Sequence, residues 1–318
     1  MDVNTSPFAS EKIKVREYIS SPSIQRVKRL YVATISLATI SGCLIGIFQL
    51  CTTGIGYLEV SLLLLMTAIT GSGITVGFHR FFTHKTFDAH PIIQILLAVF
   101  GSMAGEGSLI AWVSVHRCHH QYTDVLGDPH SPHLHGEGRW QKLLGLWHAH
   151  IGWMLNDQLP NSFVFAKDLY RDPVMVKINN LYPFWILLGI AIPTFLGGIY
   201  TWSWSGAFAG FIWGGLVRLF FSFNGGYLIN SIAHYCGNRM FETRDHSTNN
   251  IWLAIPTFGE GWHNNHHAFP GSAKFGLKWW QIDLGYWVIW TLKAIGLVGN
   301  VKLPTPEMIV AKKADVIF

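Results

Sequence analysis

Three long stretches without a charged side chain constrain this sequence more than any other feature. Residues 30–58, 60–78 and 178–217 contain no Asp, Glu, Lys or Arg. A helix needs about 20 mainly apolar residues to cross a bilayer, so each of the first two stretches can hold one span. The third, carried past Arg218 to about Ile232, holds two spans joined by a turn at Thr201–Ser205. The expected spans are therefore about 30–50, 60–76, 182–200 and 206–232. Only 13% of the residues are charged, against roughly 25% in soluble domains. The fold class this predicts is an all-α integral membrane protein.

The remaining sequence sets the orientation. Residues 1–29 are polar, have no apolar signal-peptide core, and carry Lys12, Lys14, Arg16, Arg26, Lys28 and Arg29. Their positive charge predicts a cytosolic N-terminal segment. The loops expected on the other side, 51–59 and 201–205, have no Lys or Arg, and four spans return the C-terminus to the cytosol. A net charge of +5 suits a neighbourhood of anionic lipid. No basic stripe interleaved with aromatics speaks for nucleic acid. The four cysteines form no CxxC pair, so neither a zinc ribbon nor a disulfide framework is expected.

Histidine-rich stretches alternate with the spans. His79 and His84 follow the second, His234 follows the fourth, and His263, His266 and His267 come later. His116, His119 and His120 end another apolar stretch, residues 91–115, which contains Glu106, Gly101, Gly105 and Gly107. That stretch is too short to cross twice, and one crossing would strand His116 on the wrong side. A charge at the bilayer centre costs about 2.5 kcal/mol or more, so we read 91–115 as a re-entrant or interfacial segment. All the histidine groups then share the cytosolic face. The domain expected over 30–318 is four spans under a cytosolic helical cap that carries them.

Spacing turns these histidines into ligand candidates. In His116-Arg117-Cys118-His119-His120, the imidazoles fall at i, i+3 and i+4. At about 100° per residue, His119 and His120 flank His116 and diverge from each other by about 100°. One helical face thus offers three ligands, with an adjacent pair able to reach two metals. The same pattern recurs at His263, His266 and His267. His79 and His84 are five apart, about 140° around an ideal helix, and converge only if the helix ends or distorts between them. Nine nitrogen ligands exceed one tetrahedral zinc site and suit a pair of five- or six-coordinate metals. Imidazole alone does not choose among iron, copper, zinc and nickel. Carboxylate-bridged diiron bundles are disfavoured, since paired Glu-x-x-His motifs are not the pattern here. His90, His130, His133, His135, His148 and His246 read as solvated or capping side chains, and spacing alone leaves His234 open.

At these residues the chain resembles the integral-membrane fatty-acid desaturases, over roughly Gly71 to Pro304. Gly73 through His84 resembles the first histidine box of that family, and Trp112 through His120 the second, followed by Asp128-Pro129-His130. His148 through Trp153, the Asn230-Ser231-Ile232-Ala233-His234 element, and Gly259-Glu260-Gly261-Trp262 before the third box extend the likeness. These landmarks are closest to the Δ9 branch of stearoyl-CoA and cyanobacterial acyl-lipid enzymes. The resemblance implies two irons held by His79, His84, His116, His119, His120, His234, His263, His266 and His267, with Asn230 acting through a water. It also implies an acyl channel lined by Trp112 and Tyr227. Acyl-CoA enzymes of the family carry Arg-Asp where this chain has Ser114-Val115, and the family usually shows Thr-Trp where this chain has Gly226-Tyr227. The expected activity is oxygen-dependent insertion of a cis double bond, at Δ9, into a chain linked to lipid rather than to CoA.

An unactivated methylene offers a side-chain base no acidic proton, so the hard step belongs to the cofactor. Asp124, Asp128, Glu260 and Asp283 are expected to orient imidazoles through their second nitrogen, with loop solvation or helix capping as the plainer role. Arg218 is a costly charge inside an apolar run and is read as touching the channel or the ligand surroundings. Trp202 and Trp204 suit an interfacial belt. No haem, flavin, nicotinamide or iron–sulfur motif is present. Electrons must therefore come from a separate donor of ferredoxin or cytochrome b5 type. The rivals are a diiron membrane hydroxylase and, from another class, a membrane metal transporter.

Overall fold

The computed structural model describes residues 17–313; of the basic N-terminal residues, Lys12, Lys14 and Arg16 lie outside this range. Four helices are long and apolar enough to span a membrane: Pro22–Thr52, Tyr57–Thr83, Tyr182–Thr201 and Trp204–His234. The first begins earlier than charge counting places it, because Pro22 at its N-terminus starts a helix readily and Arg26, Lys28 and Arg29 extend its polar end. In the fourth, 67% of the most apolar stretch is buried, against 17% in the third. The fourth span is therefore the centre of the bundle. Trp202 and Trp204, at the turn between the third and fourth spans, are 89% and 92% exposed, as befits side chains at a membrane boundary.

Small residues set how closely the spans approach. Gly206, Gly210 and Gly214 lie at i, i+4 and i+8 on the fourth span and meet Gly197, Pro193 and neighbouring backbone of the third. This is the small-xxx-small packing that substitutes for hydrophobic driving force in lipid. Gly42 and Gly46 of the first span rest on Leu216 and Val217 of the fourth.

The apolar stretch 91–115 is two helices rather than one. Pro91–Met103 descends beside the second span, the chain turns through Gly105 (φ +78°) and Gly107 (φ +122°), and Leu109–Tyr122 returns. Gly77 of the second span meets Leu97, and Gly73 meets the backbone of Gly101. A side chain at Gly73 would collide with that backbone. Gly73→Ala is accordingly expected to cost about 1–3 kcal/mol through overpacking, visible as a lower unfolding temperature in detergent.

The second span distorts where its histidines begin. Gly73–Thr83 is π-helical, and the His84 N–H donates to the His79 carbonyl over 3.2 Å. Five-residue bonding stacks i on i+5, so His79 and His84 share a face with ring centroids 5.0 Å apart. The condition set by their spacing is met by distortion. Two short strand pairs, Tyr18–Ile19 with Leu159–Pro160 and Asp88–Ala89 with Val298–Gly299, tie the polar segments together.

Arg218 is wholly buried, and its surroundings correct the expectation of a channel residue. Its guanidinium donates to the carbonyls of Met103 (2.8 Å), Gly189 (2.9 Å) and Gly214 (3.2 Å). Met103 closes the descending helix, where carbonyls lack helical partners. Gly189 lies four residues before Pro193, whose missing N–H leaves that carbonyl free. Arg218 thus fills two backbone vacancies and cross-links three helices.

Candidate metal centre

The histidine-bearing elements converge at the polar ends of the second and fourth spans. The returning helix Leu109–Tyr122 brings His116, His119 and His120. A short 3₁₀ turn, Ile232–His234, ends the fourth span and brings His234. The helix His263–Ala268 brings His263, His266 and His267. Its two asparagines hold it in place. Asn264 accepts from the N–H groups of Met240 and Phe241, and Asn265 donates to the Phe275 carbonyl and Gln281. In this triad the histidines therefore face inward while the asparagines grip the surrounding loops.

The nine imidazoles form two groups. His79, His84, His116, His120 and His266 make one, and His119, His234, His263 and His267 the other; within each, one ring nitrogen from every residue lies within 4.8 Å of the rest. The adjacent pairs divide between them: His119 and His120 join different groups, as do His266 and His267. Several Nε2 atoms stand about one coordination edge apart. His79–His266 is 3.0 Å, His116–His120 3.0 Å, His120–His266 2.9 Å, His234–His263 2.9 Å and His263–His267 3.1 Å. Ligands at right angles on metal–nitrogen bonds of about 2.1 Å would be separated by about 3.0 Å. His84 Nε2 and His119 Nε2 are buried with no protein partner. Such orphaned nitrogens, turned into groups of other imidazoles, fit metal binding, and a five-nitrogen group exceeds what structural zinc takes.

The second nitrogen of four imidazoles meets a carboxylate. Glu260 Oε2 lies 2.5 Å from His79 Nδ1, Asp128 3.0 Å from His119 Nδ1, and Asp124 3.0 Å from His234 Nδ1. Asp245, 3.0 Å from His267 Nδ1, is a fourth that sequence reasoning missed. Each bond fixes the tautomer that leaves Nε2 for a metal. Burial alone would raise Asp124, Asp128 and Asp245. Their imidazole partners and the polar hydrogens around them outweigh it and hold all three below the usual carboxylate range. Burial pushes His84, His116, His120, His263 and His266 well below the usual imidazole value, keeping them neutral as metal ligation requires. Asp245→Asn is expected to weaken metal retention about 10- to 100-fold, measured by competition with a chelator.

Asp283 departs from its expected part. It accepts from Arg80 (2.8 Å), from the Phe275 N–H (2.7 Å) and from the Tyr286 N–H (2.9 Å), capping the helix Leu284–Ala294. Arg80 in turn approaches Glu260 at 3.9 Å, so Asp283 reaches the imidazoles only through two intermediaries. Glu260 and His263 do stand in Glu-x-x-His spacing, but Glu260 turns to His79 and to the Thr75 hydroxyl. His130 is buried, stacks on His119 with centroids 4.4 Å apart, and lies 3.8 Å from Asp128. His133 bonds the His234 carbonyl, and His148 the Pro129 carbonyl.

A cavity of about 470 Å³ opens beside the clusters. His79, His116, His263, Asn230, Trp112 and Tyr227 all line it. The Asn230 side chain bonds no described residue, which leaves its amide to the cavity. Arg218 is absent from this wall.

This geometry agrees with what the chain is similar to. The sequence profile of the fatty acid desaturase family matches residues 55–294. Over 315 residues the chain is 46% identical to a hex-5-enoyl-[acyl-carrier protein] acetylenase of Moorena producens (strain JHB), covering 98% of each. It is 41% identical over 254 residues to an icosanoyl-CoA 5-desaturase of Limnanthes douglasii, covering 77% of this chain and 65% of that one. It is 37% identical over 262 residues to an sn-1 stearoyl-lipid 9-desaturase of Anabaena variabilis, covering 81% and 89%. With its histidine groups, its four apolar helices and this match, the chain belongs to the fatty acid desaturase family.

Proposed function

We propose that the protein is an oxygen-dependent fatty-acyl desaturase whose two histidine groups each hold one iron. The observation that carries this reading is the division of nine imidazoles into two adjoining groups, which reach the wall of one cavity through His79 and His116 of the first and His263 of the second. His79, His84, His116, His120 and His266 would hold one iron. His119, His234, His263 and His267 would hold the other, with Asn230 beside it acting through a water. Such a centre would supply the removal of two hydrogens from adjacent methylenes, and these two hydrogens, dioxygen, two electrons and two protons together leave as two waters. The chain's own part is to fix the ligands through Glu260, Asp128, Asp124 and Asp245, and to hold an acyl chain along Trp112 and Tyr227.

Two readings of the substrate follow. Δ9 desaturation of a lipid-linked chain is supported by the likeness to the Anabaena enzyme. Action near C5 on a thioester-linked chain is supported by the full-length likeness to the Moorena acetylenase and by the icosanoyl-CoA 5-desaturase; this is the reading we prefer. The histidine end of the bundle faces the cytosol in either case, a reading supported by the basic N-terminal segment.

The test is to supply the purified, iron-loaded protein with reductant and a panel of acyl lipids, acyl-CoAs and acyl-carrier proteins, and to locate double bonds by mass spectrometry. An added oxygen in place of a double bond would point to a hydroxylase, and metal movement without oxygen uptake to a transporter. Electrons come from a separate ferredoxin or cytochrome b5 type partner. If an acidic donor docks on the cap's Lys and Arg side chains, turnover at fixed donor falls as salt rises; salt-independent turnover would rule that docking out.

A further inference from the structure

The cavity wall carries one carboxyl that the metal groups do not use. Glu106 sits at the turn between the descending and returning helices, flanked by Gly105 and Gly107, both with positive φ. Both neighbours are pinned. The Tyr31 hydroxyl bonds the Gly105 carbonyl, the Gly107 N–H donates to the Tyr182 hydroxyl over 2.9 Å, and the two hydroxyls are 2.8 Å apart. The tyrosines are thus committed to backbone and to each other, and the Tyr227 hydroxyl to Met154 sulfur at 3.3 Å. Glu106 meets only the Trp112 indole N–H, which leaves the rest of its carboxyl to the cavity.

Across from it lies Gly226. A side-chain carbon built there would come within 2.8 Å of Glu106 Oε2, so the absence of a side chain at 226 gives the carboxyl its room. Asn230 lines the same cavity one helical turn further on, about 6 Å along the axis, and Trp112, which meets Glu106, stacks on His116 with ring centroids 5.0 Å apart. Burial pushes Glu106 up to about 8, against the opposing pull of the Trp112 indole. Near neutrality it therefore holds a proton and can donate it in a hydrogen bond. A saturated hydrocarbon chain has nothing to accept that bond, and a buried donor left unmet is costly.

We infer that Glu106 donates a hydrogen bond to the carbonyl oxygen of the acyl group. This places the carbonyl end of the substrate, and not the middle of a long chain, within a few carbon–carbon bonds of the histidine groups. The inference rests on the acyl-desaturase reading and specifies it: the substrate class is an acyl thioester desaturated close to its carbonyl.

The experiment compares wild type, Glu106→Gln and Glu106→Leu on hexanoyl, palmitoyl and stearoyl thioesters of CoA and of acyl-carrier protein, reading double-bond position and kcat/KM. Wild type should desaturate near the carbonyl. Glu106→Gln, which keeps a donor, should retain that position. Glu106→Leu should lose at least about tenfold in kcat/KM on the short thioester and shift the double bond toward the methyl end. An unchanged position with Glu106→Leu, or an equal loss on every chain length, overturns the inference. A second measurement serves even if Glu106→Leu fails to fold. Binding of a hexanoyl thioester to iron-loaded wild type, kept without reductant, is compared with that of the thioether lacking the carbonyl, by thermal shift. The thioester should bind at least about tenfold more tightly, and equal binding overturns the inference. If iron-loaded, reduced wild type forms no double bond in any chain, the desaturase reading fails on its own, while the thioester–thioether comparison still reports on Glu106.

Discussion

Replacing His266 with alanine is expected to lower turnover by at least about 100-fold, more than the 10- to 100-fold typical of losing a supporting residue. His266 is central to its group: its Nε2 lies 3.0 Å from that of His79 and 2.9 Å from that of His120. Removing it leaves four imidazoles where five now converge. The expected metal content falls toward one iron per chain, because His267, its sequence neighbour, belongs to the other group. Iron analysis on the purified variant, set beside its product yield, checks both numbers. Full iron with full activity would refute the assignment of His266 as a ligand. A His263→Ala variant gives the complementary result, since its group has four imidazoles to begin with.

The second large effect is structural. Arg218→Met is expected to destabilise the bundle by about 3 kcal/mol, the scale for losing hydrogen bonds to a charged group and leaving acceptors unmet. The methionine restores bulk but not donors. The Gly189 carbonyl, freed by Pro193, and the terminal Met103 carbonyl then face a region with no water to replace them. Unfolding in detergent should occur at a lower temperature, while the surviving enzyme makes an unchanged product. A shift in double-bond position would instead return Arg218 to the substrate channel. Adding Pro193→Ala should recover part of the loss, because an alanine at that position supplies the missing N–H to the Gly189 carbonyl.

What can be read from the sequence divides along physical lines. The spans are legible because the cost of charge in lipid writes itself as uncharged runs, and only their ends differ in the structure. The two His-x-x-His-His motifs are legible because helical geometry is local, and the splayed pairs do part between the two groups. For His79 and His84 the spacing demands some distortion without saying which. Nothing between those residues specifies five-residue bonding without the packing of Gly73 and Gly77 against the descending helix. Asp245 is invisible to spacing rules because it reaches His267 from a loop 22 residues earlier. Asp283 invites misplacement by its nearness in sequence to the third histidine cluster, although an Asp just before an apolar helix is an ordinary N-cap. Arg218 reads as a channel residue because the vacancy it fills is created by Pro193 on another helix.

The four carboxylates behind the imidazoles have a consequence for how the protein is made. Glu260, Asp128, Asp124 and Asp245 have side chains no more than 11% exposed, and Arg80 is balanced by Asp283. With neutral imidazoles these four groups carry four negative charges, which two divalent cations would cancel. Without metal that charge is met only by the imidazoles and the polar hydrogens around it, and a buried charge short of counter-charge is strongly destabilising. Iron supply should therefore govern how much protein accumulates as well as how fast it works. Cells starved of iron would be expected to hold less of this chain, with the cap as the first part open to proteolysis.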